Sequence, residues 1–404
     1  MRILVSGASI AGPVLAYWLT RRGFDVTVVE RAPALRKTGG HAIDLFRPAM
    51  NISEHMGVLD QVQARATGTT RMIMSRPGAR RSIEVDYLKV VAIMSDRHVE
   101  IMRDDLSQIY YDAGRDHIEY LFDDQITAIS DSGHVEFARA GARDYDVVVG
   151  ADGLHSGVRQ LVFGPDAGHT RFLGGYLAVL SVPKSLAREG EMTNFLDASR
   201  WAMIYTADHL DDARAVFMFR PKTPLDYHHR DDARQRTLLR AAFEGLNPTV
   251  DRWLAELDGP GAFYFDSITQ LQLTSWSRGR VTLVGDAGYC PGPAVGGSTS
   301  LAVLGAYVLA GELERAGGDY AAAFAAYEQV MADPVRHSRA FARTVANTLV
   351  PRSHLGVSAL MGVARIISAL PAGLSSAIAR LNNTGIRLYD AMTYPDYPVP
   401  SAID

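Results

Sequence analysis

The feature that most constrains this chain is its opening stretch, residues 1–30. Arg2–Ser6 reads as a short apolar strand, Gly7-Ala-Ser-Ile-Ala-Gly12 as a tight turn, and Pro13 to Arg22 as a helix stopped by Gly23. Asp25–Val29 then reads as a second apolar strand ending at Glu30. Two apolar strands joined by a helix of this length make a βαβ unit, which commits the chain to a parallel sheet covered by helices. The glycines at 7 and 12 let backbone approach a ligand closely, and the amides around Ser9, Ile10, Ala11 and Gly12 open a helix that would favour a pyrophosphate. Ser9 stands where the dinucleotide-binding fingerprint has its middle glycine. Glu30 is placed to hold ribose hydroxyls and to repel a 2′-phosphate.

Two later stretches share this texture. Asp146–Gly150 is a buried-looking strand that runs into Ala-Asp152-Gly153-Leu-His-Ser-Gly-Val-Arg159. Residues 285–300, GDAGYCPGPAVGGSTS, follow the strand Val281–Val284 and hold five glycines, two prolines and a single aspartate, Asp286. Glycines there allow conformations that a side chain would forbid, and a helix start with few competing charges suits a polar or partly anionic ligand edge. The stretch also holds the only cysteine, Cys290. No histidine neighbours it in sequence, so an inert thiol is the expected reading over a nucleophile.

Bulk numbers fit an ordinary globular chain. The 404 residues are enough for two domains or one composite domain, and 47% hydrophobic with 21% charged content argues against long disorder. A net charge of −4 gives no electrostatic case for nucleic acid. One cysteine without a secretory pattern favours a reducing, cytoplasmic setting, and no apolar run is long and unbroken enough to span a membrane. The twelve histidines show no zinc-like spacing, so no metal site is expected, and His228-His229 reads as a solvated turn.

The three glycine stretches, in this order, resemble the class A flavoprotein monooxygenases, the para-hydroxybenzoate hydroxylase-like FAD-dependent aromatic hydroxylases. The first turn is similar to their first FAD motif, Asp152-Gly153 with Arg159 to their DG motif, and Gly285-Asp286-Ala287 with Pro293 and Gly296-Gly297 to their GD motif. Arg103-Asp-Asp-Leu106 also fits. The texture of "YFDSITQ" and "GAYVLAGEL" is similar to bacterial tetracycline-modifying and polyketide-tailoring members. The resemblance implies an α/β fold: a Rossmann-like FAD-binding domain (1–70, 96–170 and 271–330), an inserted antiparallel β-sheet substrate domain (71–95 and 171–270) and a C-terminal helical segment (331–404).

It also implies site roles. Amides around Ser9–Gly12 would meet the FAD pyrophosphate, Glu30 the adenosine ribose, and Arg31 and the backbone at Thr127 the adenine half. Arg103 and Asp286 would contact the ribityl–phosphate region, with Pro293, Gly296 and Gly297 along the isoalloxazine edge. Asp152, Gly153 and Arg159 would serve FAD packing and, indirectly, the nicotinamide reductant. Gly288-Tyr289 departs from the histidine that the family carries there. NADPH or NADH would act transiently, and a C4a-hydroperoxyflavin would oxygenate an aromatic or polyketide-like small molecule.

The substrate would lie between the inserted sheet and the flavin. Val216, Met218 and Arg220 share one face of a strand, Phe217 and Phe219 the other, and Trp201 and Met203 are further pocket candidates or sheet core. No catalytic side chain is identified. The Val357–Asn382 pattern is apolar and packs on its own domain or at an interface, consistent with a monomer or a homodimer, and the tail Tyr394–Asp404 is expected to be loosely ordered. A flavoprotein of another reaction type, or a non-catalytic small-molecule binding protein, remains open. A halogenase is disfavoured because none of the four tryptophans forms a W-x-W-x-I-P motif.

Overall fold

The computed structural model describes residues 1–35, 39–79, 81–95, 97–165, 168–293, 297–370, 388–390 and 392–398. The expected βαβ unit forms: strands Arg2–Ser6 and Asp25–Glu30 pair in parallel around helix Ala11–Arg21, which is buried along nearly its whole length. The helix begins two residues earlier than the position of Pro13 suggests, because proline fits the first turn of a helix without losing a bond. The full sheet has six strands, in the order Ser277–Arg278, Val281–Leu283, Val147–Gly150, Arg2–Ser6, Asp25–Glu30 and Glu119–Phe122. Only the edge pair Ser277–Arg278 with Val281–Leu283 is antiparallel.

A second sheet of seven strands runs Phe263–Leu271, Thr170–Pro183, Asp212–Phe219, Arg200–Tyr205, Glu191–Asp197, Arg71–Ser75 and Ile83–Asp86. Its neighbours pair antiparallel except Glu191–Asp197 with Arg71–Ser75. One face carries Phe217 and Phe219 against Phe243 and Trp253 from helices Asp232–Phe243 and Pro248–Ala255. The opposite face carries Trp201, Val216 and Met218 into a cluster with Ala342, Ala346, Val357 and Met361. These last four come from helices Tyr320–Leu349 and His354–Ala369. The first of these helices crosses residue 330, where a segment boundary was expected. The alternation read from the sequence therefore sorts side chains between two different cores. Of the apolar Val357–Asn382 pattern, residues 371–382 lie outside the described residues.

The tail is not loose at residues 392–398. Tyr397 is buried, its hydroxyl donates to Glu312 Oε1 at 2.6 Å, and its ring fills the space that a side chain at Gly311 would need. Tyr389 lies against Gly297 in the same way and stacks on Phe46. Tyr289, the departure from the family histidine, sits against Gly305, is buried, and accepts a hydrogen bond from the Tyr327 hydroxyl at 3.0 Å. Helix Ser298–Arg315 is thus held by three tyrosines, each seated on a glycine at its start or within it. A local sequence pattern cannot show this packing, because each tyrosine reaches its glycine only through the fold.

Gly305→Ala is expected to destabilise by about 2–3 kcal/mol through overpacking against Tyr289. Gly362→Ala, at a helical glycine with open space around it, should be neutral or stabilising by up to about 1 kcal/mol. Denaturant unfolding of both variants checks this pair.

Candidate FAD-binding site

Three loops meet at the carboxyl ends of the parallel strands. Gly7 (φ +107°) follows the first strand, and a Cβ there would sit 2.6 Å from the Ala151 carbonyl oxygen of the second loop. A Cβ at Gly12 would collide with the Gly7 carbonyl, and one at Gly285 (φ +65°) would press on Ala11 and Ala302. Close backbone packing, rather than looseness, is what these glycines serve. Among the described residues no side chain caps helix Ala11–Arg21, preceded by Ile10, or helix Ser298–Arg315, preceded by Gly297 in the left-handed conformation. Two helix N-termini therefore offer free amides.

Side chains complete the first loop. Ser9 accepts a hydrogen bond from Arg103 Nη2 at 3.0 Å, and its carbonyl accepts one from the Ser107 hydroxyl at 2.9 Å. The serine in the fingerprint's middle place thus anchors the arginine. Glu30 spans two turns, accepting from the Ala8 amide at 2.9 Å and the Ala32 amide at 2.8 Å. Arg31 is exposed beside it. Thr127 is displaced from this region: it lies exposed on the small sheet Ile126–Ile129, where its hydroxyl donates to the Glu136 carbonyl. The backbone that meets the Glu30 end is at Asp124, whose amide donates to the Glu30 carbonyl at 3.1 Å.

The second loop is braced from within. The Asp152 carboxylate accepts from the Ser156 hydroxyl and the Val158 amide, and burial raises its pKa. Gly153 takes φ +81°. Arg159 is fully buried and donates to the Ala287 carbonyl at 2.9 Å and the Leu154 carbonyl. It bolts the second loop to the third, while Ser156 caps helix Gly157–Phe163 by accepting from the Arg159 amide.

In the third loop, Asp286 opens the short helix Asp286–Tyr289, and burial raises its carboxyl above the ordinary range, opposed by the Cys290 thiol and Arg103. Cys290 is buried and its thiol is pushed far up, by burial first and then by Asp286, so it is not a nucleophile. Pro293 is half-buried; Gly296 lies outside the described residues.

Next to Arg103, His41 stays neutral: burial first, then Arg103, lowers it to about 4. The Ala42 amide donates to the Tyr205 hydroxyl at 2.6 Å, tying the strand Ala42–Phe46 to the seven-stranded sheet. Met203, half-exposed, and Tyr264 join Ala42 and Met102 along this seam. Arg220 is withdrawn from it and donates to the Ala346 carbonyl and Asn347 Oδ1, holding the end of helix Tyr320–Leu349. His41 carried no motif of its own in the sequence, and the glycine pair Gly39-Gly40 before a strand pattern was the available signal; Tyr264 opens the YFDSITQ stretch, and Tyr205 alternates with Trp201 and Met203 as a candidate for pocket or sheet core.

Against known families, the FAD binding domain profile matches residues 1–321. The chain belongs to the FAD-binding flavoprotein monooxygenases. It is 41% identical over 329 residues to an uncharacterised protein of Mycobacterium tuberculosis, covering 80% of this chain and 88% of that one. It is 38% identical over 345 residues to a flavin-dependent monooxygenase from an unknown prokaryotic organism, with 84% and 88% covered. The crystal structure of tetracycline destructase Tet(51) superimposes with a TM-score of 0.81 at 31% identity, covering 98% of this chain and 99% of that one.

The residues fit the flavin that this monooxygenase family binds. Two uncapped helix starts could take the pyrophosphate and the polar ring edge, Glu30 a ribose, and the facing Arg103 and Asp286 the chain between them. A carboxyl with a raised pKa costs folded-state stability once ionised. That cost is absent below the ordinary carboxylate range and sets in as pH rises through the raised value. Apo Asp286→Asn should therefore melt above wild type at pH 7, with the gap closing towards about pH 4, while FAD binding weakens roughly tenfold. Thermal melts across this range and an FAD titration check both signs.

Proposed function

We propose that this FAD-dependent monooxygenase takes its electrons from NADH or NADPH and places one oxygen atom of O2 on an aromatic or polyketide-like molecule. The observation that carries this reading is the seam itself. The same Arg103–Asp286 region that faces the nucleotide loops is flanked by Tyr264 of the seven-stranded sheet, which shares a hydrophobic cluster with Ala42, Met102 and Met203. When bound, FAD supplies the electron transfer and oxygen activation; the protein's part is to orient and to exclude water. Backbone amides at residues 9–12 and at the start of helix Ser298–Arg315 hold the cofactor's anionic and polar edges. Arg103, steered by Ser9, fixes the middle.

The substrate rests on the sheet face at Met203, with Trp201 held behind it by its Nε1–H bond to Asn194 Oδ1 at 3.0 Å. Val216 and Met218 act as the packed backing of that wall rather than as contacts. Neutral His41 adds no charge, so the wall favours flat, largely apolar rings. The 31%-identical tetracycline destructase supports a polycyclic ligand of this kind.

The test is a panel of tetracycline, phenolic polyketides and simple phenols, read by NAD(P)H oxidation and product mass. A polycyclic phenol should stimulate oxidation at least tenfold and leave as a product heavier by one oxygen. No stimulation by any panel member, with FAD bound, would contradict the reading. Met203→Trp should raise KM for the polycyclic compound by about tenfold, with a smaller effect on simple phenols.

A further inference from the structure

The strand Phe263–Leu271 is the edge of the seven-stranded sheet, and Tyr264, Asp266, Ile268 and Gln270 share one of its faces. That face meets the FAD-binding part. Gln270 Nε2 donates to the Pro291 carbonyl at 3.1 Å and to the Arg339 carbonyl at 3.0 Å, fixing the sheet on the third loop. Asp266, almost wholly buried, places Oδ2 2.8 Å from Nε2 of His155 in the second loop. Docking alone does not call for a carboxylate here, since apolar packing serves a buried seam at least as well.

Continuity distinguishes this carboxylate. The Tyr264 hydroxyl donates to the same Asp266 Oδ2 at 3.4 Å, and the Tyr264 ring stands beside Arg103, Cys290 and Asp286 in the site. At the other end, the His155 side chain is 43% exposed and stacks on His229, with ring centres 4.6 Å apart and planes 10° from parallel. One hydrogen-bonded chain therefore links the half-exposed His155 of the second loop, through Asp266, to Tyr264 beside Arg103 and Asp286.

Monooxygenation needs such a link. NAD(P)H, O2, one proton and the substrate give NAD(P)+, water and the oxygenated product, so each turnover takes one proton from solvent into a site that must stay dry. Resting on that reading of the reaction, we propose that His155, Asp266 and Tyr264 conduct this proton from solvent to the groove. Doubly protonated His155 passes its Nε2 proton to Asp266 Oδ2. The Tyr264 hydroxyl turns from Asp266 towards the groove, and the Asp266 carboxyl passes a proton to the Tyr264 oxygen as the Tyr264 hydroxyl proton leaves into the groove. His155 is then reprotonated from water. With the reprotonation of His155 counted, four O–H or N–H bonds break and four form, no electrons move, and the three side chains return to their starting state.

The surrounding groups suit the task. His155 is faced by Asp266 and His229; His229 in turn by His228 and Arg230; Tyr264 by Asp266, Arg103, Asp286 and Cys290; and Tyr227 approaches Asp266. Burial, then His155, His228 and Arg230, lowers the His229 pKa, so it presents a neutral ring. Burial, then Asp266, keeps Tyr264 a neutral phenol that can give and take a proton at once.

The test uses the FAD-loaded protein without NAD(P)H or substrate. Bound FAD is photoreduced under argon and mixed with aerated buffer in H2O and in D2O between pH 6 and 9. Reoxidation to release hydrogen peroxide takes up one proton, so it reads the chain directly. His155→Gln, Asp266→Asn and Tyr264→Phe, each compared with FAD fully bound, should reoxidise at least tenfold more slowly at pH 8. Imidazole should restore His155→Gln alone, because a histidine ring is what that variant lacks at the solvent end of the chain. Wild-type rates in all three variants, slowing explained by lost FAD, or a His155→Gln defect that imidazole leaves untouched would overturn the proposal. Should Asp266→Asn not fold, the other two variants decide it. A wrong monooxygenase reading would instead appear as absent substrate stimulation in the panel assay, with this reoxidation pattern intact.

Discussion

The structure depends on how closely three backbone turns approach at the carboxyl ends of the parallel strands. Gly7 against Ala151, Gly12 against the Gly7 carbonyl, and Gly285 against Ala11 and Ala302 leave no room for side chains. Arg159 then fastens the second turn to the third through Ala287. Only with this contact closed do the starts of helices Ala11–Arg21 and Ser298–Arg315 face one groove, so that two sets of free amides act on one ligand. A single methyl group at any of these glycines would separate them.

The second sheet gains its meaning from that groove. Its helix-covered face is an aromatic core around Phe217, Phe243 and Trp253. Its other face is shared between helices Tyr320–Leu349 and His354–Ala369 and the seam at Ala42, Met203 and Tyr264. Polar contacts fix the two sheets at a few points: Tyr205 to Ala42, Gln270 to Pro291, and Asp266 to His155. The wall between them can stay apolar where a ring would lie.

How much of this was legible in the sequence follows physical range. The βαβ unit was readable because strand, turn and helix signals are local. The alternation of Val216 and Met218 with Phe217 and Phe219 was readable because a strand has a fixed period of two. Direction was not readable for long cations. Arg159 and Arg220 stood in plausible places, yet one bolts two loops and the other caps a helix end, since burial drives a guanidinium to the nearest carbonyls. Tyr289 looked like a flaw in the flavin loop because its partner, Gly305, lies on the next helix. The tail looked loose because Tyr389 and Tyr397 find their glycines only after the chain has folded.

The central claim is that the three glycine stretches form one ligand surface. Hydrogen–deuterium exchange of the protein with and without FAD tests it most directly. Amides of residues 7–12, 150–153 and 285–300 should all slow together when FAD is added, with the paired strands behind them unchanged. Protection confined to residues 7–12, with the third stretch exchanging as freely as before, would contradict the account.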